Sequence, residues 1–437
     1  MKYQIVTFGC QFNKSDAERA AAILQKMGYV ATSILAEADL VLVLACSVRQ
    51  TAIDRIFGLK QKFEKIRKAR PLITVLSGCV LKTDEKKMLD FFDFIVPGTD
   101  LIKLPKLLAA KSYKQTAKSY YDLHPSYQSS FQAYVPIMTG CNNFCSYCVV
   151  PYTRGREVSR GAAEVIQECR RLIGLGYKMI TLIGQNVNSY SGQARSANLP
   201  AGKADRKLRP VFFPKLLKKI DDLPGDYWLS FATSHPKDLS ADLIKVMAAG
   251  KHIMPYLHLP VQSGDDGILK KMNRHYTARQ YEKIVEQVRK AIPEITISTD
   301  VIVGFPTETK NQFNHTAELF KAVNYDMAYV AQYSPRAGTV SAKMTDNVLP
   351  AEKKRRDKIL NGILKRTALA GNKRYLERTL TVLVDGYKKG RCFGRTKTFK
   401  IVSFPGCQPL IGRWVLVKIT QAGSWALAGK MIKKAKT

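Results

Sequence analysis

The chain has 437 residues and is 46% hydrophobic, which excludes a disordered protein and favours two or three folded domains. Its 70 Lys and Arg residues outnumber 35 Asp and Glu residues, and this net charge of +35 favours a polyanionic partner over a merely solvated basic face. About half of the excess lies in residues 351–437, which hold 22 Lys and Arg against 4 Asp and Glu.

Hydropathy and cysteine content predict the compartment. No apolar run approaches the ~18 residues that cross a membrane, and the first residues, MKYQIVTFGC, lack the apolar core of a signal peptide. We therefore expect a cytoplasmic protein without a membrane partner. In a reducing compartment, the nine cysteines are more often metal ligands or catalytic thiols than disulfides.

Residues 1–113 alternate predicted strands and helices, which is typical of a small open α/β domain. The segment KYQIVTFG predicts a first strand, and a helix is predicted from Asn13 to Met27. LVLVLA (40–45) is the continuous apolar run expected of a buried parallel strand, and LITVLSG (72–78) follows a basic helix.

A second series of strands and helices follows a polar, aperiodic segment (114–131) that predicts a linker. The series predicts a partial (β/α)6 barrel over residues 127–368, with an insertion at 192–209. Its six candidate strands centre on Val135, Ile180, Leu229, Leu257, Ile297 and Tyr329.

The pattern changes after a charged helix predicted at about 351–371. Short strands separated by turn residues predict a small all-β barrel over residues 370–435. Basic side chains around Phe393 and Phe399 suit RNA phosphates and bases, and an adaptor barrel with a basic rim is the alternative. These basic residues are Lys388, Lys389, Arg391, Arg395, Lys397 and Lys400.

Three cysteines within eight residues give the strongest functional signal, and we call Cys141, Cys145 and Cys148 the barrel triad. They follow the first predicted barrel strand, and barrel active sites lie at that carboxyl edge. A closed zinc site needs four ligands, and the next cysteine, Cys169, lies inside a predicted helix. Three thiolates favour a [4Fe–4S] cluster with one iron left open, while zinc with a distant fourth ligand is the alternative.

Cys10, Cys46 and Cys79 each follow one of the three predicted N-terminal strands, and we call them the N-terminal triad. If these strands are parallel, the three thiols emerge at one edge of the sheet, where open α/β domains bind ligands. A second cluster with an open iron fits this placement, and three buried, inert cysteines are the alternative. Cys169, Cys392 and Cys407 are predicted to be structural.

The pattern CxxxCxxC, with Tyr147 before its last cysteine, resembles the signature of the radical S-adenosylmethionine (SAM) superfamily. With the N-terminal triad and a small C-terminal barrel of the TRAM type, nearly the whole chain resembles the methylthiotransferase family. Local strings narrow the resemblance to the branch that modifies isopentenylated adenosine in tRNA, and the segments GQNVNSY and TSHP favour it over the branches that modify threonylcarbamoyladenosine or a ribosomal protein. The eight strings are GCQFN (9–13), CSVRQTA (46–52), CVVPYTRGREVSR (148–160), LIGQNVNSY (182–190), TSHP (233–236), HLPVQSG (258–264), TDVIVGFPTET (299–309) and YSPRAGT (333–339).

The resemblance implies an enzyme with two [4Fe–4S] clusters that uses SAM as methyl donor and radical source. The cluster on the barrel triad would bind SAM and yield the radical that removes hydrogen from C2 of the adenine. The cluster on the N-terminal triad would supply or carry the sulfur. The product would be 2-methylthio-N6-isopentenyladenosine at position 37, in the anticodon loop of tRNA. An electron donor such as flavodoxin or ferredoxin and a sulfur donor are also implied, and we expect a monomer.

Polar residues at other strand ends are candidate SAM contacts. Gly184 and Gln185 end the second barrel strand, where relatives often carry an acid near the SAM amino group. Gln262 ends the fourth strand. Gly304 lies in VIVGFPTE (301–308), which resembles a segment that contacts the SAM adenine, and a simple strand-ending turn is the alternative.

The remaining polar candidates have structural alternatives. His235 and His258 flank strand ends, where lone histidines are more often satisfied structural groups than ligands. Arg154, Arg156 and Arg160 follow the cysteine loop and could meet RNA phosphate or a carboxylate of SAM, with a solvated loop as the equal alternative. A non-catalytic RNA-binding protein with structural metal sites is the alternative from a different functional class.

Overall fold

The computed structural model describes residues 1–48, 50–108, 119–192 and 210–434. These residues form a five-stranded parallel sheet, two three-stranded parallel sheets that together make a half barrel, and a closed five-stranded barrel. The mixed α/β architecture confirms the predicted fold class. No described helix combines the length and the hydropathy that a membrane span needs.

The N-terminal unit places its strands in one parallel sheet between two layers of helices. Its elements are β1 (Lys2–Thr7), α1 (Gln11–Lys26), β2 (Val30–Ala31), β3 (Leu40–Cys46), α2 (Gln50–Phe57), α3 (Lys60–Ala69), β4 (Ile73–Cys79), α4 (Lys82–Met88), β5 (Phe94–Pro97) and α5 (Leu104–Leu107). The strand order is β2-β1-β3-β4-β5, and β3 is buried along its whole length, as its apolar run predicts. Helix α1 begins two residues before its predicted start.

The central unit alternates strands and helices. Its elements are β6 (Gln132–Pro136), β7 (Met138–Thr139), α6 (Val150–Thr153), β8 (Val158–Ser159), α7 (Ala162–Gly174), β9 (Met179–Ile183), β10 (Ser191–Gly192), β11 (Val211–Phe212), α8 (Phe213–Asp221), β12 (Trp228–Phe231), α9 (Ala241–Ala249), β13 (Tyr256–His258), α10 (Asp266–Lys271), α11 (Ala278–Ala291), β14 (Thr296–Val303), α12 (Lys310–Val323), β15 (Met327–Gln332) and α13 (Pro350–Lys373). All six predicted strand centres fall within strands of this unit. Except for Gly192, the predicted insertion at 192–209 lies outside the described residues.

Six parallel strands of the central unit form the open half barrel. They run β12-β9-β6 and β13-β14-β15, and a parallel bridge between Leu229 and Ile253 connects the two sheets. One face of the strands packs with the helices into the largest apolar core. The alternating residues on the other face include polar ones. For example, the hydroxyl groups of Thr181 and Ser230 form a hydrogen bond of 2.8 Å. The inside of the half barrel is therefore partly polar, which suits a polar ligand.

The C-terminal unit is the closed barrel that the short strands predict. Its strands are β16 (Thr379–Lys388), β17 (Arg391–Thr396), β18 (Ile401–Pro405), β19 (Trp414–Ala422) and β20 (Leu427–Lys434). Their order around the barrel is β16-β17-β18-β20-β19. Alternate residues point inward and build a separate small core.

The closed barrel packs against the amino-terminal edge of the half barrel. Trp414 lies edge-on to Trp228, which begins β12, with ring centroids 4.2 Å apart. Phe399 stacks on Tyr256, which begins β13, also at 4.2 Å. The closed barrel therefore covers the edge of the half barrel opposite to the strand ends that carry the cysteine loop.

This packing corrects part of the prediction for the basic residues of the closed barrel. Lys400 is buried and its Nζ lies 2.6 Å from Asp326 Oδ1, while Lys397 Nζ donates to the carbonyl of Lys251 at 2.6 Å. Phe399 and these two lysines are therefore interdomain contacts rather than an open RNA surface. Basic residues next to aromatic residues give the same sequence pattern at an interdomain contact and at an RNA-binding surface, so the sequence alone does not distinguish these two roles.

The predicted linker has structure of its own where it is described. Tyr120 is buried, and its hydroxyl donates to Asp16 of α1. Leu123 is also buried, in the apolar core shared with the N-terminal sheet. The segment from residue 119 onward is therefore part of the interface between the N-terminal and central units. Its polar composition does not indicate this role.

Replacing Trp414 by alanine is expected to destabilise the protein by about 3–5 kcal/mol, because the substitution removes a large buried side chain from the interface between the barrels. The matched control is Trp425→Ala, since Trp425 is 45% exposed; its expected effect is about 0.5 kcal/mol or less. Urea denaturation of the full chain measures both. Equal destabilisation by the two substitutions would contradict the packing described here.

Candidate functional site

The barrel triad lies on a loop framed by the antiparallel pair β7 and β8. Gly140, just before Cys141, has φ +79°, and a Cβ there would lie 2.1 Å from the carbonyl oxygen of Arg156. Only glycine fits this turn without displacing backbone. The Cys148 N–H donates to the Cys145 carbonyl at 2.9 Å, which folds the loop back on itself. The loop therefore gathers the three thiols at the carboxyl end of β6.

A neighbouring segment that the sequence analysis did not identify fixes this loop. Asn273 Nδ2 donates to the carbonyl of Phe144 at 3.0 Å, and the N–H of Ser146 donates to the carbonyl of Met272 at 3.0 Å. Arg274 is buried, and its Nη1 lies 3.5 Å from Cys145 Sγ. A buried cation beside a thiol stabilises negative charge on that sulfur.

The N-terminal triad lies at one edge of the parallel sheet, as expected from its position after three strands. Cys46 and Cys79 are register partners on β3 and β4, and Cys10 is the N-cap residue of α1. Gly78 has φ +101°, and a Cβ there would lie 2.5 Å from the carbonyl oxygen of Ala45. The two strand ends are thus held closely together beside the thiols.

The electrostatics of the thiols reflect the same grouping. Burial raises the pKa of Cys79 to about 12, and the neighbouring thiols of Cys46 and Cys10 contribute to this rise. Burial likewise raises the pKa of Cys148 to about 12, with the other two members of the barrel triad adding to the effect. These two thiols therefore stay protonated at neutral pH until a metal centre replaces the proton.

The donors of both triads are cysteine thiols. Thiolates are the protein ligands of iron–sulfur clusters, and three of them suit a [4Fe–4S] cube with one iron left open. Zinc with a further ligand stays the alternative.

Arg154 links the two triads. It follows α6, which begins two residues after Cys148, and its side chain is buried against the N-terminal unit. Its Nε donates to Cys79 Sγ at 2.8 Å, and its Nη2 donates to Asp16 Oδ2 at 2.6 Å. Arg154 is therefore not a solvated loop residue, and its buried guanidinium contacts Asp16 and Cys79 rather than the predicted RNA phosphate or SAM carboxylate.

Of the other two arginines of this segment, Arg160 is buried, which corrects the expectation for it, and Arg156 is exposed. Arg160 is buried and ion-paired with Glu168, which also lies 3.8 Å from the fully buried Arg19 of α1. Arg156 is exposed, and its guanidinium lies 4.2 Å from the ring centroid of Phe144 in the cysteine loop. Of the three, only Arg156 remains accessible to an anionic ligand.

Several buried polar atoms beside the cysteine loop have no hydrogen-bond partner within the described chain. Buried polar groups of native proteins are normally paired, so an unpaired group at a strand end suggests a site for a polar ligand. These atoms lie at the end of β7 or after β9 and β12, at the carboxyl edge of the half barrel. They are Thr139 Oγ1, Gln185 Oε1, Asn186 Oδ1, Asn188 Oδ1, Asn188 Nδ2 and Ser234 Oγ.

The predicted SAM contacts occupy different local environments. Gly184 packs closely, since a Cβ there would lie 2.5 Å from Met138 Cγ, and Gln185 carries one of the unpaired atoms. The backbone of Gln262 pairs with β14 through Asp300. The Gly304 N–H donates to Glu308 Oε2 at 2.7 Å. All four lie at the carboxyl edge of the half barrel, and their contact with SAM stays a prediction.

The two histidines have protein partners. His235 Nδ1 accepts the N–H of Lys237 at 3.2 Å, and its ring lies edge-on to Tyr276. Burial, with Arg274 and Lys237 nearby, lowers the pKa of His235 to about 2. His258 Nδ1 lies 2.8 Å from Ser298 Oγ inside the half barrel. His235 is therefore a neutral structural group at physiological pH.

The remaining cysteines lie apart from both triads. Cys169 is buried in the large apolar core and Cys392 in the core of the closed barrel. Cys407 is exposed, and its carbonyl accepts the thiol of Cys392 at 3.3 Å. Cys407 therefore offers a control for substitutions of the six triad cysteines.

Comparison with protein families divides the chain into three matches. Residues 2–96 match the uncharacterized protein family UPF0004, residues 135–320 match the radical SAM superfamily, and residues 373–432 match the TRAM domain. The first match contains the N-terminal triad and the second contains the barrel triad.

Curated relatives align along almost the whole chain. The tRNA-2-methylthio-N(6)-dimethylallyladenosine synthase of Thermoanaerobacter sp. (strain X514) is 38% identical over 99% of this chain and 93% of its own length. The synthase of the same name from Carboxydothermus hydrogenoformans is 38% identical over 98% of this chain and 99% of its own length. The one from Bacillus subtilis (strain 168) is 36% identical over 99% of this chain and 86% of its own length.

Solved structures share the fold at low sequence identity. The radical S-adenosylmethionine methyltransferase TsrM from Kitasatospora setae matches with a TM-score of 0.55 at 14% identity, over 78% of this chain and 77% of its own. The cobalamin-dependent S-adenosylmethionine radical enzyme OxsB matches with a TM-score of 0.51 at 11% identity, over 84% and 56%. These likenesses concern the fold alone.

Replacing His235 by asparagine is expected to weaken the pH dependence of stability. The folded-state pKa of His235 lies far below its ordinary value of 6.5, so the unfolded chain binds the extra proton. The contribution of the neutral His235 to the free energy of unfolding is therefore fully present above about pH 6.5, and it is lost as the pH falls below that value. Asparagine keeps an N-cap acceptor for Lys237 but does not titrate.

The free energy of unfolding, measured by urea denaturation between pH 4 and 8, tests this expectation. The control is His124→Asn, at an exposed position. The slope below pH 6.5 should flatten in His235→Asn and stay unchanged in the control. Identical slopes in the parent and in His235→Asn would show that His235 does not titrate differently in the two states.

Proposed function

Because the chain belongs to the family of the tRNA-2-methylthio-N(6)-dimethylallyladenosine synthases, which are radical SAM enzymes, we propose that it methylthiolates C2 of N6-isopentenyladenosine at position 37 of tRNA. The observation that carries this proposal is the meeting of two three-cysteine sites where the N-terminal sheet joins the half barrel. Arg154 follows one triad and contacts the other.

Membership of the radical SAM superfamily implies SAM and one [4Fe–4S] cluster. We assign this cluster to the barrel triad, which leaves one iron open for the amino and carboxylate groups of SAM. Arg274 at Cys145 offsets negative charge on the thiolates. In this proposal, the unpaired polar atoms of Gln185, Asn186 and Asn188 orient polar groups of the ligand.

We also propose a second cluster on the N-terminal triad, and this part of the proposal is supported by its three thiols. Three thiols gather at the carboxyl edge of a parallel sheet, and the central unit brings Arg154 to Cys79 and Arg336 near Cys46. Arg336 Nη1 also donates to Gln50 Oε1 at 2.5 Å, which ties the central unit to the helix that follows Cys46. When bound, the clusters and SAM supply the radical that removes the C2 hydrogen and the sulfur and methyl that replace it.

The tRNA partner is supported by charge and by the TRAM match at residues 373–432. The hairpin of β16 and β17 presents exposed basic residues next to Tyr387, which is 40% exposed. Basic side chains beside an exposed ring suit an RNA backbone with an unstacked base. These basic residues are Lys388, Lys389 and Arg391. An electron donor and a sulfur donor complete the proposed set of partners.

Substitution of the triads is expected to separate two steps. Alanine at any barrel-triad cysteine should abolish reductive cleavage of SAM, because the cluster then lacks an iron ligand. Alanine at any N-terminal-triad cysteine should spare cleavage and stop sulfur insertion. Cys407→Ala should leave both unchanged. Product analysis by nucleoside mass spectrometry and assay of 5′-deoxyadenosine measure the two steps.

The same mass spectrometry tests the substrate. A deletion strain should lack 2-methylthio-N6-isopentenyladenosine, and the wild-type gene should restore it. Loss of a methylthiolated threonylcarbamoyladenosine instead, or retention of every methylthiolated adenosine, would reject the substrate. A colourless protein that binds tRNA without cleaving SAM would instead support the non-enzymatic alternative.

Charge removal from the β16–β17 hairpin is expected to weaken tRNA binding. The triple variant Lys388→Gln, Lys389→Gln and Arg391→Gln should lower affinity and reduce the slope of log K against log salt by about 0.7–0.9 for each phosphate that is no longer neutralised. The control carries the same charge change on α3, at Lys62, Lys65 and Lys68. Equal affinities of the two variants across a salt series would exclude the hairpin as an RNA-binding surface.

A further inference from the structure

We infer that Arg154 is a positioning residue for the cluster of the N-terminal triad, supplied by the central unit, and that its N–H···S hydrogen bond raises the reduction potential of that cluster. This inference rests on the proposed second cluster. It adds a role for a residue that follows the barrel triad in sequence but contacts the other triad in space.

The side chain of Arg154 is held from several sides, so its direction is fixed. Nη2 is 2.6 Å from Asp16 Oδ2 and 3.1 Å from Asn13 Oδ1, and the guanidinium lies 4.2 Å from the ring centroid of Phe12. The side chains of Arg154 and Asp16 are 2% and 0% exposed. These interactions use one end of the guanidinium and leave Nε to donate to Cys79 Sγ at 2.8 Å.

Asn13 extends the network towards a second thiol of the triad. Its Nδ2 donates to the carbonyl of Ala45 at 2.6 Å, and Ala45 directly precedes Cys46. The same asparagine accepts Nη2 of Arg154 through Oδ1. Arg154 therefore contacts Cys79 directly and is joined through one side chain to the backbone beside Cys46.

The backbone of Arg154 is tied to the barrel triad. Its N–H donates to the carbonyl of Val150 at 2.8 Å, and Val150 begins α6 two residues after Cys148. A shift of the cysteine loop would thus move the guanidinium relative to Cys79. Arg154 thus joins the backbone beside one cluster site to a thiol of the other, in addition to the Arg336–Gln50 and Arg19–Glu168 contacts between the two units.

Simple ion pairing with Asp16 does not account for this geometry. A lysine could neutralise Asp16, but its single ammonium does not present a planar fork that also donates to a sulfur. Hydrogen bonds to cluster sulfurs and nearby positive charge stabilise the reduced, more negative state, and this raises the potential. Removal of the Arg154 side chain should therefore lower it.

The experiment uses the full chain with the barrel triad replaced by alanine, so that a single cluster remains. Arg154→Met, Arg154→Lys and Asp16→Asn are introduced into this parent. Arg170→Met, on the exposed face of α7, is the matched control. The cluster is reconstituted without oxygen, iron is counted, and the midpoint potential is measured by redox titration followed by electron paramagnetic resonance.

We expect a shift to more negative potential in Arg154→Met, a smaller shift in Arg154→Lys and none in Arg170→Met. Asp16→Asn should leave the midpoint potential close to that of the parent, because the donor to Cys79 remains. An unchanged potential in Arg154→Met would overturn the inference. So would equal changes in Arg154→Met and Asp16→Asn, since they would indicate a purely structural ion pair.

Two further outcomes are also decisive. Failure of Arg154→Met to hold the cluster, with retention in Asp16→Asn, supports positioning by the N–H···S hydrogen bond, whereas equal failure of both variants contradicts it. If the parent itself holds no iron–sulfur cluster, then the proposed second cluster fails, and this outcome is distinct from a failure of the role of Arg154.

Discussion

The buried ion pair between Arg154 and Asp16 is the constraint on which the arrangement of the site depends. Both side chains are almost fully inaccessible, and taking two charges out of water is costly unless each finds additional partners. Asp16 also accepts the hydroxyl of Tyr120, and Arg154 also donates to Asn13 and Cys79. The network is therefore well satisfied only when the N-terminal and central units are docked, and docking brings the two triads together.

The rest of the molecule surrounds this junction in a consistent way. Each triad has a buried arginine at one thiol, Arg154 at Cys79 and Arg274 at Cys145, so negative charge on the sulfurs has a nearby counter-charge. The N-terminal unit contacts the carboxyl-terminal side of the half barrel, and the closed barrel covers the opposite edge through Trp414 and Phe399. The cysteine sites therefore lie where the N-terminal unit meets the half barrel, whereas the basic hairpin belongs to the closed barrel.

Local sequence patterns predict the strands of the half barrel, the closed barrel and the placement of each triad at strand ends, because these features follow from periodicity and short spacing. They do not predict the role of α1, whose polar residues Asn13, Ser15 and Arg19 are buried. Burial of polar residues depends on partners far away in sequence, such as Glu168 for Arg19. The expectations for Arg154 and Lys400 are wrong for the same reason: a lone basic residue gives no local sign of the carboxylate beside which it will be buried.

The most direct test of the account is iron analysis and spectroscopy of protein purified without oxygen, for the full chain and for two variants that each replace one triad by alanine. Two cluster sites predict about eight irons in the full chain and about four in each variant, with different electron paramagnetic resonance signals from the two variants. A single centre in the full chain, or a variant that retains the full iron content, would contradict the account.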